Sequence, residues 1–234
     1  MRLDKFLTEM EIGSRSQVKS YIKKGLVEVN GMVCKAADYK LDENSDTVLY
    51  AGEELCYHKY RYYILNKPQG VVTATSDSKD KTVMDLLEGV RKKDLAPVGR
   101  LDKDTEGLLF ITNDGALAHN LLSPKKHVDK VYRVKLSKAI NQAEITELEA
   151  GVDIGDETKT LPAMVDRVND TEILLTIHEG RFHQVKRMMK AVGNEVVHLK
   201  REAFGSLRLD ESLKPGTYRE LTKEEIEKLK ELGC

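Results

Sequence analysis

The chain has 234 residues, of which 40% are hydrophobic, and a formal net charge of −1 at pH 7. This length and composition allow one large core or two smaller ones, which excludes a small scaffold that depends on disulfide staples. The sequence contains no run of eighteen apolar residues, so we expect no membrane-spanning helix.

Cysteine spacing, the N-terminal residues and short motifs indicate location and cofactor use. Cys34, Cys56 and Cys234 are far apart and outside any CxxC arrangement, so neither a disulfide framework nor a zinc site is expected. The N-terminus lacks the apolar core of a secretory signal. The sequence also has no GxGxxG, P-loop or HExxH motif. We therefore expect a cytoplasmic protein that uses no cofactor and no metal ion.

Positive charge is concentrated locally although the total is near zero. Ser14 and Gln17 predict the capped start of a helix that ends at Gly25. One face of this helix and its C-terminal end carry four cations: Arg15, Lys19, Lys23 and Lys24. A face of this kind is either solvated, as most charged helix faces are, or binds the phosphate backbone of a nucleic acid. The spacing alone leaves both interpretations open.

The N-terminal part of the chain resembles the S4 RNA-binding module. The resemblance rests on segments 2–7, 14–16, 22–31 and 46–48, taken in order, and includes an Asn-Gly pair at 30–31 that predicts a β-hairpin. In that family the second helix and its flanks contact structured RNA. The resemblance therefore implies RNA contacts for the four cations, and we expect residues 1–58 to form an S4-like RNA-binding domain.

Tyrosines and basic residues alternate over residues 56–63, between this module and the rest of the chain. Such a mixture is suited to stacking on unpaired bases, but it also fits the opening of a strand. We favour the strand for Tyr63 and leave both interpretations open for Tyr57 and Tyr60.

A charged loop lies shortly before the middle of the sequence. Asp102 and Asp104 lie between Gly99 and Gly107, and the apolar residues 108–112 predict a buried strand directly after them. Carboxylates on a loop beside a strand indicate either a catalytic site or ordinary loop capping. A hydrolase that uses the two aspartates is a third interpretation, although it does not explain the S4-like module.

Two later segments carry further candidates for chemistry. Alternation over 130–136 predicts a strand with Tyr132 pointing inward, either as a core residue or as part of a site. A predicted helix over 181–190 has Phe182, Val185 and Met189 on its buried face. Its opposite face is cationic and comprises His183, Lys186, Arg187 and Lys190.

The remaining pattern predicts the architecture of residues 59–234. Further strands are expected at 62–66, 71–75, 172–177, 195–200, 206–209 and 218–221, and further helices at 82–87, 115–122, 141–150 and 222–232. Many strands separated by both turns and helices indicate an α+β fold with a mixed, mostly antiparallel sheet flanked by helices.

Four motifs together resemble the pseudouridine synthases. They are residues 66–70, 99–109, 130–132 and 179–188, in that order, and with the S4-like module they cover nearly the whole chain. The resemblance points to the branch with an S4 module ahead of the catalytic domain, and within it to the A type that acts on small-subunit ribosomal RNA. Large-subunit enzymes are the next nearest. It implies that residues 59–234 form the catalytic domain.

The resemblance also implies roles for individual residues. Asp102 matches the catalytic aspartate, Tyr132 the base-stacking tyrosine, and Lys186 the basic residue that pairs with the aspartate, with the adjacent Arg187 as the alternative. Arg100 matches an arginine that fills the gap when uridine leaves the stack. The expected RNA contacts are Arg100, the four cations of the N-terminal helix, Lys67, Arg181 and Arg187.

The activity implied is isomerisation of uridine to pseudouridine in ribosomal RNA. Attack of Asp102 on the sugar, attack on the base and proton abstraction all remain open. A large-subunit enzyme and a non-catalytic RNA-binding assembly factor are the alternatives. The expected partner is ribosomal RNA, including RNA within an assembly intermediate, and we expect a monomer that does not bind membranes.

Overall fold

The structure is a computed structural model that describes residues 1–42, 45–55, 57, 59–123 and 126–233. It divides into two compact units, Met1–Lys59 and Tyr60–Cys234. Cys34 is a half-buried free thiol, whereas Cys56 and Cys234, and residue 58 at the predicted domain boundary, lie outside the described residues. Within those residues, no helix combines the length and the apolar character that crossing a membrane requires.

The N-terminal unit packs two helices against a small antiparallel sheet. Its helices are α1 (Leu3–Glu9) and α2 (Arg15–Lys23), and its strands are β1 (Val27–Val29), β2 (Met32–Val33), β3 (Val48–Tyr50) and β4 (Glu53–Glu54). The strand order is β2-β1-β3-β4. The predicted hairpin is confirmed, because β1 and β2 pair antiparallel across the Asn-Gly turn.

Local sequence explains the geometry of the N-terminal unit. The side chains of Ser14 and Gln17 each accept a hydrogen bond from the other's backbone N–H, which confirms the predicted capping box at the start of α2. The apolar faces of α1 and α2 meet in a core that includes Leu3, Leu7 and Ile22, all fully buried. The opposite face of α2 is left exposed to solvent.

The larger unit is built around one mixed sheet. Its strands are β5 (Tyr62–Lys67), β6 (Ala96–Val98), β7 (Glu106–Thr112), β8 (Lys130–Leu136), β9 (Met164–Asn169), β10 (Glu172–Ile177), β11 (Val196–Phe204), β12 (Leu207–Arg208) and β13 (Tyr218–Glu220). The order is β13-β5-β7-β11-β8-β10-β9, with β6 beside β7 and β12 beside β11. Only β7 and β11 pair in parallel among the described strands, which confirms the predicted mixed, mostly antiparallel sheet.

Helices cover both faces of this sheet. They are a short 3-10 helix (Val83–Leu86), α3 (Gly115–Leu122), α4 (Gln142–Ala150), α5 (Gln184–Ala191) and α6 (Lys223–Gly233). The 3-10 helix, α4 and α5 share one hydrophobic core with the sheet, and α3 and α6 share a second core. Because α5 packs beside the sheet through Val185, Met188 and Met189, its cationic residues are held in a fixed position.

The structure differs from the predicted secondary structure in several segments. Residues 71–75 form no strand, and only an isolated bridge joins Val72 to Thr82. The edge strand β9 was not predicted, because most of its side chains are exposed and show no alternation. Phe182 was expected in a buried helical face but is 75% exposed, since α5 begins only at Gln184.

Candidate active site

The charged loop that precedes β7 presents two carboxylates to one lysine of α5. Lys186 Nζ lies 3.1 Å from Asp102 Oδ2 and 2.6 Å from Asp104 Oδ1. Asp102 is the more enclosed of the two, with 29% of its side chain exposed against 69% for Asp104. The structure thus brings together Asp102 and Lys186, which lie more than eighty positions apart in the sequence.

The electrostatics of the cluster favour a charged Lys186 and an ionised Asp104. Burial works to lower the pKa of Lys186, but hydrogen bonds to Asp104 and Asp102 outweigh it and raise that pKa above its ordinary value. The hydrogen bond from Lys186 in turn holds the pKa of Asp104 below its ordinary value. His183 Nε2 lies 3.6 Å from Asp102 Oδ1. Asp102 therefore has a lysine on one oxygen and an imidazole near the other.

Arg187, the alternative to Lys186, points elsewhere. Its guanidinium donates to the backbone carbonyl of Ile154 and to the carboxylate of Asp156, 2.5 Å from Arg187 Nη2. Adjacent helical residues project about 100° apart. Only one of the two can face Asp102, and the structure places Lys186 there.

Lys67 has a different environment from the one expected for an RNA contact, which corrects that prediction. Its side chain is fully buried, and Nζ donates to the backbone carbonyls of Thr105 at 2.8 Å, Asp102 at 3.0 Å and Pro68 at 3.1 Å. Burial lowers the pKa of Lys67 to about 8. Lys67 therefore holds the backbone of the aspartate loop and is not available to RNA.

A row of paired residues crosses the sheet beside this loop. Lys67 is opposite Gly107, Gly107 is opposite Arg201, and Arg201 is opposite Tyr132. Gly107 has a φ of +104°, and a Cβ at this position would collide with the backbone of Arg201. A glycine is needed here because β7 and β11 approach too closely for a side chain. Tyr132 is buried, as predicted from the alternation in β8.

Arg201 is a buried cation in this row that the sequence did not single out. It is 1% exposed, its Nε donates to the carbonyl of Leu108 at 2.8 Å, and its guanidinium lies over the ring of Phe204. Its Nη2 has no hydrogen-bond partner among the described residues. The alternating pattern of β11 gave no signal that a charged residue is buried there.

The remaining predicted RNA contacts differ in their accessibility. Arg181 donates to the carbonyls of Thr158 and Lys159, so Arg181 and Arg187 both hold the segment that precedes β9. Arg100 is exposed and has no hydrogen bond or ion pair with another described residue. The cations of α2 are also exposed: Arg15, Lys19, Lys23 and Lys24.

Comparisons with known proteins agree on one family. Residues 61–191 match the family described as RNA pseudouridylate synthase, and residues 1–47 match the S4 domain. A Bacillus subtilis (strain 168) protein named as an uncharacterized RNA pseudouridine synthase is 51% identical, covering 99% of this chain and 99% of its own length. The ribosomal small subunit pseudouridine synthase A of Escherichia coli (strain K12) is 42% identical, covering 97% of this chain and 98% of its own.

A solved structure shows the same fold over nearly the whole chain. The crystal structure of a pseudouridylate synthase superposes with a TM-score of 0.70 at 38% identity, and covers 98% of this chain and 99% of its own. Together with the match over the catalytic unit, this identifies the reaction that the protein catalyses. The chain belongs to the RNA pseudouridylate synthase family, whose members isomerise uridine in RNA, and it carries an S4 domain.

Proposed function

We propose that this protein converts a uridine of small-subunit ribosomal RNA to pseudouridine, with Asp102 as the nucleophile. The observation that carries this proposal is the ion pair of 3.1 Å between Asp102 and Lys186, on a loop that Lys67 anchors. The substrate class is supported by relatives named as ribosomal small subunit pseudouridine synthase A, including one of Vibrio cholerae that is 44% identical over 97% of this chain.

The reaction requires an ionised carboxylate beside an extruded nucleotide. The N1–C1′ bond of the target uridine breaks, a C5–C1′ bond forms, the C5 proton leaves to solvent and N1 gains a proton. Lys186 orients Asp102 and places a positive charge beside it, which suits a carboxylate nucleophile. Tyr132 supplies an aromatic platform for the uracil. Extrusion costs a few kcal/mol, which stacking and phosphate contacts offset.

RNA contacts outside the reacting nucleotide are proposed for the accessible cations. Lys19 and Lys23, with Arg15 and Lys24, form an exposed basic surface on α2, which suits a phosphate backbone. Arg100 is exposed two residues before Asp102 and is proposed to fill the gap that the uridine leaves. We assign Arg181 and Arg187 to holding the loop before β9 instead.

A tritium-release assay tests the assignment of Asp102. RNA labelled at C5 of uridine should release one tritium per turnover, and we expect Asp102→Asn to abolish release while RNA binding persists. Asp104→Asn is the matched control, because it removes a carboxylate on the same loop that contacts the same lysine. Normal turnover by Asp102→Asn, or loss confined to Asp104→Asn, would show that Asp102 is not the nucleophile.

The substrate itself needs separate experiments. Transcripts of small-subunit and large-subunit ribosomal RNA, each assayed naked and within partly assembled particles, would identify the preferred form; activity confined to large-subunit RNA would refute the proposed substrate. We also propose that the protein acts as a monomer in the cytoplasm. Light scattering of the purified protein with and without RNA tests the monomer.

A further inference from the structure

Beside the aspartate loop, the residues just before α5 place an aromatic ring in solvent. Phe182 is 75% exposed, the highest value among the large apolar side chains that the structure describes. The ring of His183 stacks on it, with centroids 3.8 Å apart and planes at 21°. His183 also lies 3.6 Å from Asp102, so the stacked pair extends from the carboxylate outward into solvent.

The backbone that carries this pair is held in place. His183 has the left-handed φ of 48°, which few residues other than glycine adopt, and directly precedes α5. Arg187 Nη1 donates to the carbonyl of Phe182 at 3.0 Å, and the backbone N–H of Arg181 donates to Gln184 Oε1 at 2.9 Å. The exposure of Phe182 therefore belongs to a fixed backbone conformation, and residues held in rare conformations cluster at functional sites.

We propose that Phe182, stacked on His183, is a platform for an unpaired base adjacent to the target uridine. This proposal rests on the proposed function and deepens it. When the uridine leaves its stack, its neighbour loses a stacking partner, and an exposed aromatic ring next to Asp102 can replace that partner. Tyr132 is a separate element, because it is buried in the row across the sheet and is assigned to the uracil itself. Phe182 is thus a positioning residue for the flanking nucleotide.

Substitution at Phe182 tests the proposal. We expect Phe182→Leu, which keeps an apolar side chain but removes the ring, to raise KM for RNA about 10-fold, or about 1.4 kcal/mol, and to change kcat less than about twofold. Phe182→Trp should restore KM, because any aromatic ring can stack. Val197→Ala is the matched control, since Val197 is an apolar side chain of the same unit that is 69% exposed.

A substrate series separates stacking from a local structural effect. Once the modified uridine is mapped, RNAs with an abasic site on its 5′ or its 3′ side would be assayed with the wild type and with Phe182→Leu. On one of the two sides the abasic RNA should raise KM for the wild type, and Phe182→Leu should add no further loss. The proposal would be overturned if Phe182→Leu raised KM further with both the 5′ and the 3′ abasic RNA. An unchanged KM of Phe182→Leu with intact RNA, or failure of Phe182→Trp to restore KM, would also overturn it.

These outcomes are distinct from a failure of the proposed function. If the wild type releases no tritium from ribosomal RNA, the substrate assignment fails whatever Phe182 does. If the wild type is active and Phe182→Leu behaves as the wild type, only the platform is refuted. Unfolding of Phe182→Leu by urea should match that of the wild type, because an exposed ring contributes little to the core.

Discussion

Lys186 Nζ lies 3.1 Å from Asp102 Oδ2, and this ion pair joins α5 to the loop before β7. Removing the cation leaves a half-enclosed carboxylate without the group that orients it. We expect Lys186→Met to lower kcat by about 100-fold, the scale found when one electrostatic partner is removed from an active site. Single-turnover kinetics measure this directly.

Lys190 provides the control for that prediction. It is an exposed lysine one turn further along α5, and Lys190→Met removes the same charge from the same helix. The expected loss of kcat is much smaller. Equal losses in the two variants would mean that the general charge of α5, and not the pair with Asp102, supports the chemical step.

Lys67→Met should lower kcat with little change in the affinity for RNA. The substitution keeps much of the side-chain volume but removes the ammonium donor from the carbonyls of Thr105 and Asp102, and Asp102 keeps only the bond from the Thr105 amide, so the aspartate loop loses its side-chain anchor. Tritium release and RNA binding, measured on the same preparations, separate the two effects. A binding defect of the same size as the kinetic defect would support the RNA contact that burial argues against.

Stability should depend on pH through Lys67. Burial lowers the pKa of Lys67 in the folded protein to about 8, from an ordinary value of 10.5. Between these values the unfolded chain binds more protons than the folded chain, so the free energy of unfolding rises with pH. The stabilisation that comes from this lowered pKa is fully present above about pH 10.5 and is lost as pH falls through about 8. It amounts to roughly 3 kcal/mol in the free energy of unfolding.

Urea unfolding of the wild type and Lys67→Met across this window measures that contribution. The free energy of unfolding of the wild type minus that of Lys67→Met should increase from about pH 8 to 10.5. Lys130, whose pKa burial also lowers to about 8, is present in both proteins and cancels. A difference that is constant with pH would show that Lys67 is not titrating in this range.

Gly107→Ala should destabilise the larger unit by about 3 kcal/mol or more. The positive φ costs about 1–2 kcal/mol for a residue with a Cβ, and the collision with the backbone of Arg201 adds to it. Gly216→Ala is the control, because Gly216 has a φ of +84° but open space around the position of a Cβ. Thermal unfolding should rank the two variants in that order, and similar losses would contradict a tight approach of β7 and β11.

The basic surface of α2 should contribute to affinity through salt-dependent contacts. We expect Lys19→Ala with Lys23→Ala to weaken RNA binding and to reduce the salt slope by about 0.7–0.9 for each phosphate that is no longer neutralised. The double variant Lys223→Ala with Lys230→Ala, on the exposed part of α6, removes the same charge and should leave the slope unchanged. Dissociation constants for RNA, measured from low to high salt, test both double variants. If the α2 double variant has the same salt slope as the wild type, Lys19 and Lys23 contact solvent and not RNA.

Local patterns predicted much of the fold, and the reasons are visible in single elements. The alternation of β8 and the capping box of α2 are short-range signals, and each is present in the structure. The edge strand β9 was missed because it is exposed on both faces, so its side chains carry no period. Its backbone pairing with β10 holds it in an extended conformation that its own sequence does not predict.

The site was harder to predict than the fold, because its contacts are long-range. The family resemblance identified the site residues Asp102, Tyr132 and Lys186. Spacing alone left loop capping and catalysis equally open for Asp102. Lys67 was expected to contact RNA, and its local sequence gave no signal of burial, because lysines are seldom fully buried. Only the pairing of β5 with β7 reveals that its ammonium meets the loop carbonyls. Phe182 was assigned to a helix that begins two residues later.

The anchoring of the aspartate loop by Lys67 determines which molecule has to adapt when the complex forms. The Thr105 amide donates to the Asp102 carbonyl at 3.0 Å and Thr105 is buried, so this segment belongs to the same cooperative unit as the sheet. Its amide hydrogens should exchange with solvent nearly as slowly as those of β7. The protein therefore offers a preorganised carboxylate, and the conformational cost of reaching it falls on the RNA.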